Sequence, residues 1–360
     1  MRLVRTDSIK KGSVLAQTIY NEKGTPLIRQ GVKLSERMIH RLRSLNIGFV
    51  YIDDELTEGI IAESSIPNDV RVEAIQEIKT LFTELSEADL SERSYLLSEK
   101  NHKLTSIIEG IVDEINGKEE AISMLADMLV ADNYTFQHSL NVALYSIALG
   151  KSLQFNQRKL NELGIGAVLH DIGKVFIDDK ILLKPGRLTD EEFKTMQAHT
   201  ELGFNFLREK TDLPSVIAHC AYQHHERLDG SGYPRQLVGD EIHEYAQIIG
   251  IADVFDAVTS ERVYRRALLP HQGLEILYAD AVHKFDRNFV ELFKKSIIVY
   301  PNGITVELND GRKGIVSKQN KHICDRPIVR IFEEHGKETT PYEINLAKLQ
   351  NIIVENSYMA

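Results

Sequence analysis

The chain has little that would tie it to an oxidising compartment, a membrane or a polyanion. Only two cysteines, Cys220 and Cys324, occur in 360 residues. They lie far apart in sequence, suggest no disulfide framework, and fit a reducing cytoplasm. No apolar run reaches the roughly 18 residues needed to cross a bilayer, and the opening MRLVRTDSIKKGS lacks the apolar centre of a signal peptide. Positive charge is in deficit: 43 Lys and Arg face 53 Asp and Glu, a formal net charge of -10. That balance excludes a sequence-independent grip on a nucleic-acid polymer and disfavours anionic membrane surfaces. No repeat of about 20–50 residues and no low-complexity tract interrupts the chain.

What is present is ordinary globular composition, 42% hydrophobic and 27% charged, in a chain long enough for two or three folding units. Thirteen histidines are more than such a chain needs and invite metal. Local pattern divides the sequence into four parts. Residues 1–60 read as a small α+β module, with VLAQTIY and TPLIRQG forming a β-hairpin about Asn21-Glu22-Lys23-Gly24. Ser35 then caps a helix carrying Met38, Leu42 and Leu45, and IGFVYID returns as a strand. Residues 61–120 read as a helical connector, periodic from Val70 to Ile115 and broken at LSEADLSERS. It serves either as a stalk or as helices packed on the next domain. Residues 121–296 are long helices with Gly and Pro only at breaks. Residues 297–360 form a small β-rich module, where IIVYP, ITVEL, GIVSK and PIVRIF alternate around a tight turn at Asn309-Asp310-Gly311. The expected class is mainly α.

Every polar cluster of interest falls in residues 121–296. GAVLHDIGKV is expected to carry His170, Asp171 and Lys174 on one side of a helix, as metal ligands with a neighbouring cation or as a satisfied helix-end pair. YTFQHSLNV places His138 on a helix whose other face supplies core, so a buried core histidine is its competing reading. His199 follows in MQAHTELG. His219, His224 and His225 follow in AHCAYQHHERLDGSGYP, the adjacent pair on what reads as an exposed helix end. An apolar helix then delivers Asp253 and, one turn later, Asp256, a pair that is expensive to bury unless partnered or metal-bound. Arg262, Arg265 and Arg266 come next, as anion ligands or as a solvated face. Imidazoles with shared carboxylates suit Mn, Fe or Zn better than Mg. A carboxylate such as Asp171 can bridge two ions. Two ions about 4 Å apart can share a hydroxide, its pKa lowered from about 15.7 towards about 7, and clamp an in-line displacement at phosphorus. That chemistry is phosphoester hydrolysis, with Lys174 and the arginines on the phosphate oxygens.

Taken together, YTFQHSLNV, HDIGK, the QAHTELG histidine, HHERLDGSGYP and IADVFDAVTSERVYR resemble one family, the HD-GYP subgroup of the HD phosphohydrolases. The resemblance covers about half the chain, from Ala121 to Ser296. It implies an all-helical HD-type metal-dependent core and a cyclic di-GMP phosphodiesterase. It further implies metal ligands at His138, His170, Asp171, His199, His224, His225 and Asp253, with Asp171 bridging two divalent ions, iron or manganese, with zinc as a further option. Asp171 and Lys174 then stand as the catalytic pair, and Lys174, Gly232, Tyr233, Arg262 and Arg265 match positions that contact the dinucleotide. Family members with three metals carry a glutamate where this chain has Tyr134, so a two-metal site and a pGpG product are expected, with GMP the further product. The alternatives are another cyclic dinucleotide, such as 3′,3′-cyclic GMP-AMP, or a receptor that binds cyclic di-GMP without turnover. The terminal modules resemble small modules flanking such domains and are expected to serve homodimerisation or protein partners.

Overall fold

Alternating apolar residues build the first sheet. Strands β1 (Arg2–Arg5), β2 (Val14–Leu15) and β5 (Phe49–Asp53) are ordered β1–β5–β2, antiparallel, with Leu3 opposite Tyr51 and Leu15 opposite Ile52. Strands β3 (Ile19–Tyr20) and β4 (Pro26–Ile28) form a separate hairpin. VLAQTIY and TPLIRQG do pair, at β3 with β4 and again where the Gly31 N–H donates to Leu15 O at 2.7 Å, but Val14–Leu15 also adds to β5. The chain bends at Ala16–Gln17, where the Ala16 N–H bonds to Tyr51 O, and its two halves join different sheets. Helix α1 (Glu36–Ser44) starts where Ser35 Oγ accepts the Met38 N–H at 3.3 Å, and Ile39 and Leu42 enter the core. The structure, a computed structural model, describes residues 1–21, 25–45, 47–62, 64–117, 134–210, 212–260, 267–320 and 323–359. Glu22 to Gly24 of the expected turn lie outside them, as do the first residues of the third segment and Arg262, Arg265 and Arg266.

Helices α2 (Asn68–Glu87) and α3 (Leu90–Gly117) break at Ala88–Asp89, inside LSEADLSERS. They are not a free stalk: Ile78, Leu81, Leu85, Leu104, Ile108 and Ile111 belong to the same apolar core as the helices that follow. Those are α4 (Tyr134–Ser152), α5 (Gln157–Val168), α6 (Asp179–Leu182), α7 (Asp190–Gln197), α8 (His199–Lys210), α9 (Ser215–Gln223), α10 (Glu244–Thr259), α11 (Pro270–Asp280) and α12 (Arg287–Ser296). Helix α4 is apolar around its circumference, with Leu140, Val142, Ala143, Leu144, Ile147 and Leu149 all buried, and it packs against α2, α5, α10 and α12. Below it, Tyr145, Phe255 and Phe293 meet edge to face, with centroids 5.0–5.8 Å apart.

The C-terminal sheet runs β10 (Val354–Tyr358), β6 (Thr305–Leu308), β7 (Arg312–Lys318), β8 (Ile328–Glu334), β9 (Lys337–Asn345), all antiparallel. Gly311, at φ +81°, turns β6 into β7 as Asn309-Asp310-Gly311 implies. IIVYP is not a strand of this sheet. Ile297, Ile298 and Val299 are buried in succession, so no outward face alternates with an inward one, and the segment links α12 to the sheet.

The two ends of the chain meet. The Leu3 N–H bonds to Gly303 O at 2.9 Å, Arg2 reaches Thr305 Oγ1 at 3.2 Å, Asn302 donates to Ile61 O at 2.9 Å, and Arg330 donates to Leu56 O and Glu58 O at 3.1 and 2.7 Å. The C-terminal module also bears on α11: Ser357 Oγ lies 3.2 Å from His271 Nδ1, and the His271 ring stacks on Tyr300 at 5.5 Å. Cys220 and Cys324 are both buried free thiols. No helix of the described residues is long and apolar enough to cross a membrane.

Because Phe293 is fully buried in the aromatic cluster and distant in sequence from the polar residues of the domain, Phe293→Ala should cost about 3–5 kcal/mol of stability. Denaturant melts check this; a loss below 1 kcal/mol would contradict the packing described.

Candidate metal centre

The polar residues singled out in the sequence converge on the inner faces of α4, α8, α9 and α10 and on the turn after α5. That turn is not helical in the way the spacing suggests. Helix α5 stops at Val168, Leu169 caps it, and a 3-10 helix runs over Ile172–Phe176, so His170 and Asp171 sit in the corner between the two. Gly173 explains the corner. A Cβ there would stand 1.9 Å from His199 O, so only glycine lets the turn lie against the first residue of α8.

Asp171, 2% exposed, faces two groups of imidazoles with its two oxygens. Oδ2 lies 3.3 Å from His170 Nε2 and 3.9 Å from His138 Nε2, while Oδ1 lies 3.4 Å from His199 Nε2 and 3.8 Å from His224 Nε2. Asp253 closes the ring, with one oxygen 3.2 Å from His138 Nε2 and the other 3.9 Å from His225 Nδ1. Lys174 Nζ reaches Asp171 Oδ2 at 2.5 Å from a position 28% exposed, at the mouth of the cluster. His224 is 0% exposed, so the adjacent histidine pair does not sit on an exposed helix end. His224 caps α9 from inside, where His170, His199 of α8 and Gly250 of α10 pack around it.

Backbone carbonyls fix the tautomers. His170 Nδ1 lies 2.6 Å from Ala167 O, His199 Nδ1 2.6 Å from Met196 O, and His224 Nδ1 3.0 Å from Ala221 O. A carbonyl only accepts, so each Nδ1 carries a proton and each ring turns its Nε2 inward. The Nε2 atoms of His199 and His224 stand 3.4 Å apart. His170 Nε2 and Asp171 Oδ1 are buried with no hydrogen-bond partner among the described residues. Lone pairs and carboxylate oxygens pointed at one another without a donor repel, and a buried unpaired acceptor is costly. The arrangement fits cations. Asp171, His199, His224 and His225 offer ligand atoms within 4.8 Å of one another, and so do His138, His170 and Asp171, which leaves Asp171 common to both sets.

Residues outside the expected ligand set support the rest. Asp256 accepts from His138 Nδ1 at 2.7 Å and from Asn141 Nδ2 at 2.8 Å. The sequence signalled Asp256 as a charge in an apolar helix and gave no hint of Asn141. Glu226, the residue after the histidine pair, accepts the N–H groups of Arg235 and Leu237 at 2.7 and 3.0 Å and so braces the glycine-rich loop. Gly232 packs where a Cβ would be 2.5 Å from His225 O and Glu226 Cα. The Tyr233 ring lies 4.6 Å from the His225 ring, at the edge of the cluster. His219 faces the other side of α9, against Phe204 at 5.2 Å.

Charge follows burial. Burial pulls His138 down, but hydrogen bonds to Asp253 and Asp256 outweigh it and raise its pKa to about 9. Burial lowers His225 to about 3 and also lowers His199 and His224. For Asp171 and Asp253 burial acts to raise the pKa, yet Lys174 and the imidazoles hold the first, and His138 the second, well below the usual carboxylate range.

A helical cage with one histidine on its first helix, an adjacent His-Asp pair in a turn and an aspartate on a late helix defines an HD domain, and residues 122–289 match that family. The HHERLDGSGYP loop, with Tyr233 against His225, lies within the matched residues. It is 33% identical over 232 residues to a cyclic di-GMP phosphodiesterase of Pseudomonas aeruginosa, covering 63% of this chain and 56% of that one. It is 36% identical over 172 residues to a 3′3′-cGAMP-specific phosphodiesterase of Vibrio cholerae, covering 48% of this chain and 37% of that one. The chain thus spans little more than half the length of these relatives, or less. A solved HD-GYP-type protein of Bdellovibrio bacteriovorus shares the fold over 81% of this chain and 97% of its own, with a TM-score of 0.53 at 17% identity.

The titrations set a pH profile for the metal-free protein. Unfolded imidazoles titrate near 6.5, so below that pH the unfolded chain takes up protons that His199, His224 and His225 refuse, and stability falls as pH drops. His138 acts oppositely: its contribution is complete below pH 6.5 and is lost as pH rises through about 9. Melting temperature in chelator should therefore peak near neutrality and fall on both sides. His225→Gln should flatten the acid limb, and an acid limb unchanged in that variant would refute the assignment.

Proposed function

We propose that the chain is a metal-dependent phosphodiesterase that hydrolyses cyclic di-GMP to pGpG. The observation that carries the reading is the placement of Asp171, one oxygen toward each imidazole set. In this reading His138, His170, Asp253 and Asp171 would hold one divalent ion, and His199, His224, His225 and Asp171 the other, iron or manganese being the best match to mixed imidazole and carboxylate donors. Bound there, the pair supplies Lewis acidity at phosphorus and a water of lowered pKa as the nucleophile.

The chain's own residues do the rest. Lys174, at the mouth of the cluster, donates to a non-bridging phosphate oxygen and offsets the charge that builds in the transition state. Tyr233 offers a ring face to a guanine, and burial raises its hydroxyl pKa, so the side chain stays neutral. Arg262 and Arg265 are proposed from the family motif as further phosphate ligands. Tyr134, in place of a glutamate, supports two ions rather than three. Relatives named for cyclic di-GMP support the substrate, and those of Vibrio cholerae named for 3′3′-cGAMP support the mixed dinucleotide as the second reading.

Two outcomes test this. Protein reconstituted with Mn or Fe should convert cyclic di-GMP to pGpG, and Asp171→Asn should lose both ions and at least about 1,000-fold in kcat, since an essential ligand to each ion is removed. Metal-loaded wild type that yields neither pGpG nor GMP would overturn the reading. A higher kcat/KM on 3′,3′-cyclic GMP-AMP would move the substrate to the second one. Tyr233→Ala should instead raise KM about 5- to 100-fold, the worth of one base stack, with metal content unchanged.

A further inference from the structure

Asp256 is 1% exposed, lies one turn beyond Asp253 on α10, and is not itself placed to touch an ion held by the cluster. Its carboxylate is fully engaged: Oδ2 with His138 Nδ1 at 2.7 Å, Oδ1 with Asn141 Nδ2 at 2.8 Å and with the Ser260 hydroxyl at 3.1 Å. His170, His199 and His224 are each backed by a neutral carbonyl. Among the described residues His138 is the imidazole of the cluster backed by a charge. A carboxylate behind a ligating imidazole fixes its tautomer and orientation and raises the basicity of the inward nitrogen more than an amide carbonyl does.

The donor sets differ in the same sense. His138 and His170 share their half with Asp171 Oδ2 and with Asp253 Oδ1, 3.2 Å from His138, and Asp256 adds a further negative charge behind them. The other half gathers His199, His224 and His225 around Asp171 Oδ1, with Asp253 Oδ2 more distant at 3.9 Å from His225. We infer that Asp256, through its hydrogen bond to His138, is a positioning residue that makes the His138 half the tighter of two cation positions and the first to fill. The inference rests on the metal-centre reading above.

The test is a titration of metal-free protein with cobalt(II), followed by visible absorption and elemental analysis, on wild type, Asp256→Asn and the exchange Asn141→Asp with Asp256→Asn. The exchange retains a paired amide and carboxylate between α4 and α10 but moves the charge off His138, which keeps the test valid where the single variant fails to fold. Wild type should fill in two steps. Both variants should lose about 10- to 100-fold in the affinity of the first step, with the absorption of that step shifted and the second step unchanged. A first step within about threefold of wild type in the exchange variant, or equal losses in both steps, would overturn the inference. Wild type that takes up no cobalt at all would instead overturn the metal-centre reading, and this inference with it.

Discussion

A carboxylate taken out of water and faced on both oxygens by imidazole nitrogens is the constraint around which this chain is arranged. Lys174 answers one oxygen of Asp171 with a positive charge, while the other, Oδ1, is buried without a hydrogen-bond partner among the described residues and calls for a further cation. The surrounding helices accept that demand in different ways. Carbonyls at the ends of α5, α7 and α9 take the outer protons of His170, His199 and His224, so that the rings are aimed before any ligand arrives. Such aiming spends backbone acceptors that a helix terminus leaves unsatisfied in any case. The geometry therefore costs the fold little extra, because helix ends and ligand orientation are solved by the same bonds.

The glycines belong to the same solution. Gly173 brings the His-Asp corner against α8, and Gly232 lets the loop that carries Tyr233 lie directly on the backbone of the histidine pair. Neither role requires a ligand to be present. The loop is held by Glu226 and by the Tyr233 N–H to His225 O, so the aromatic rim and the nitrogen donors move as one piece.

The sequence made the helical domain readable because its apolar periodicity is long and its breaks carry Gly, Pro and polar runs. The break at Ala88–Asp89 and the cap at Ser35 fell where local chemistry put them. The ligand residues were legible through several motifs at once, since none of them alone separates a satisfied histidine from a donor. What the sequence concealed was non-local. That His224 is covered depends on α8 and α10 packing around it, and that Val14–Leu15 joins β5 as well as the segment after the hairpin depends on a partner more than thirty residues away. Strand β9 stayed hidden for a different reason: KETTPYEIN is exposed nearly throughout, so no apolar face marks it. Asn141 was invisible because an amide one helical turn after a histidine carries no signal until the aspartate it meets is known.

The contact between the two ends of the chain has a mechanical consequence. Leu3 with Gly303, and Arg330 with Leu56 and Glu58, tie the first and last modules into one base, from which the helical domain leaves by α2 and to which it returns after α12. A domain moored at both ends of its chain cannot swing on a single hinge. Any displacement of the base is shared between two moorings. One leads through α2 and α3, where Arg93 lies over Phe176 just beyond Lys174. The other leads through α11, where His271 touches Tyr300 and Ser357. Contacts thus run from the base to the turn beyond Lys174 by way of α3, and to α11, the helix after α10, at His271.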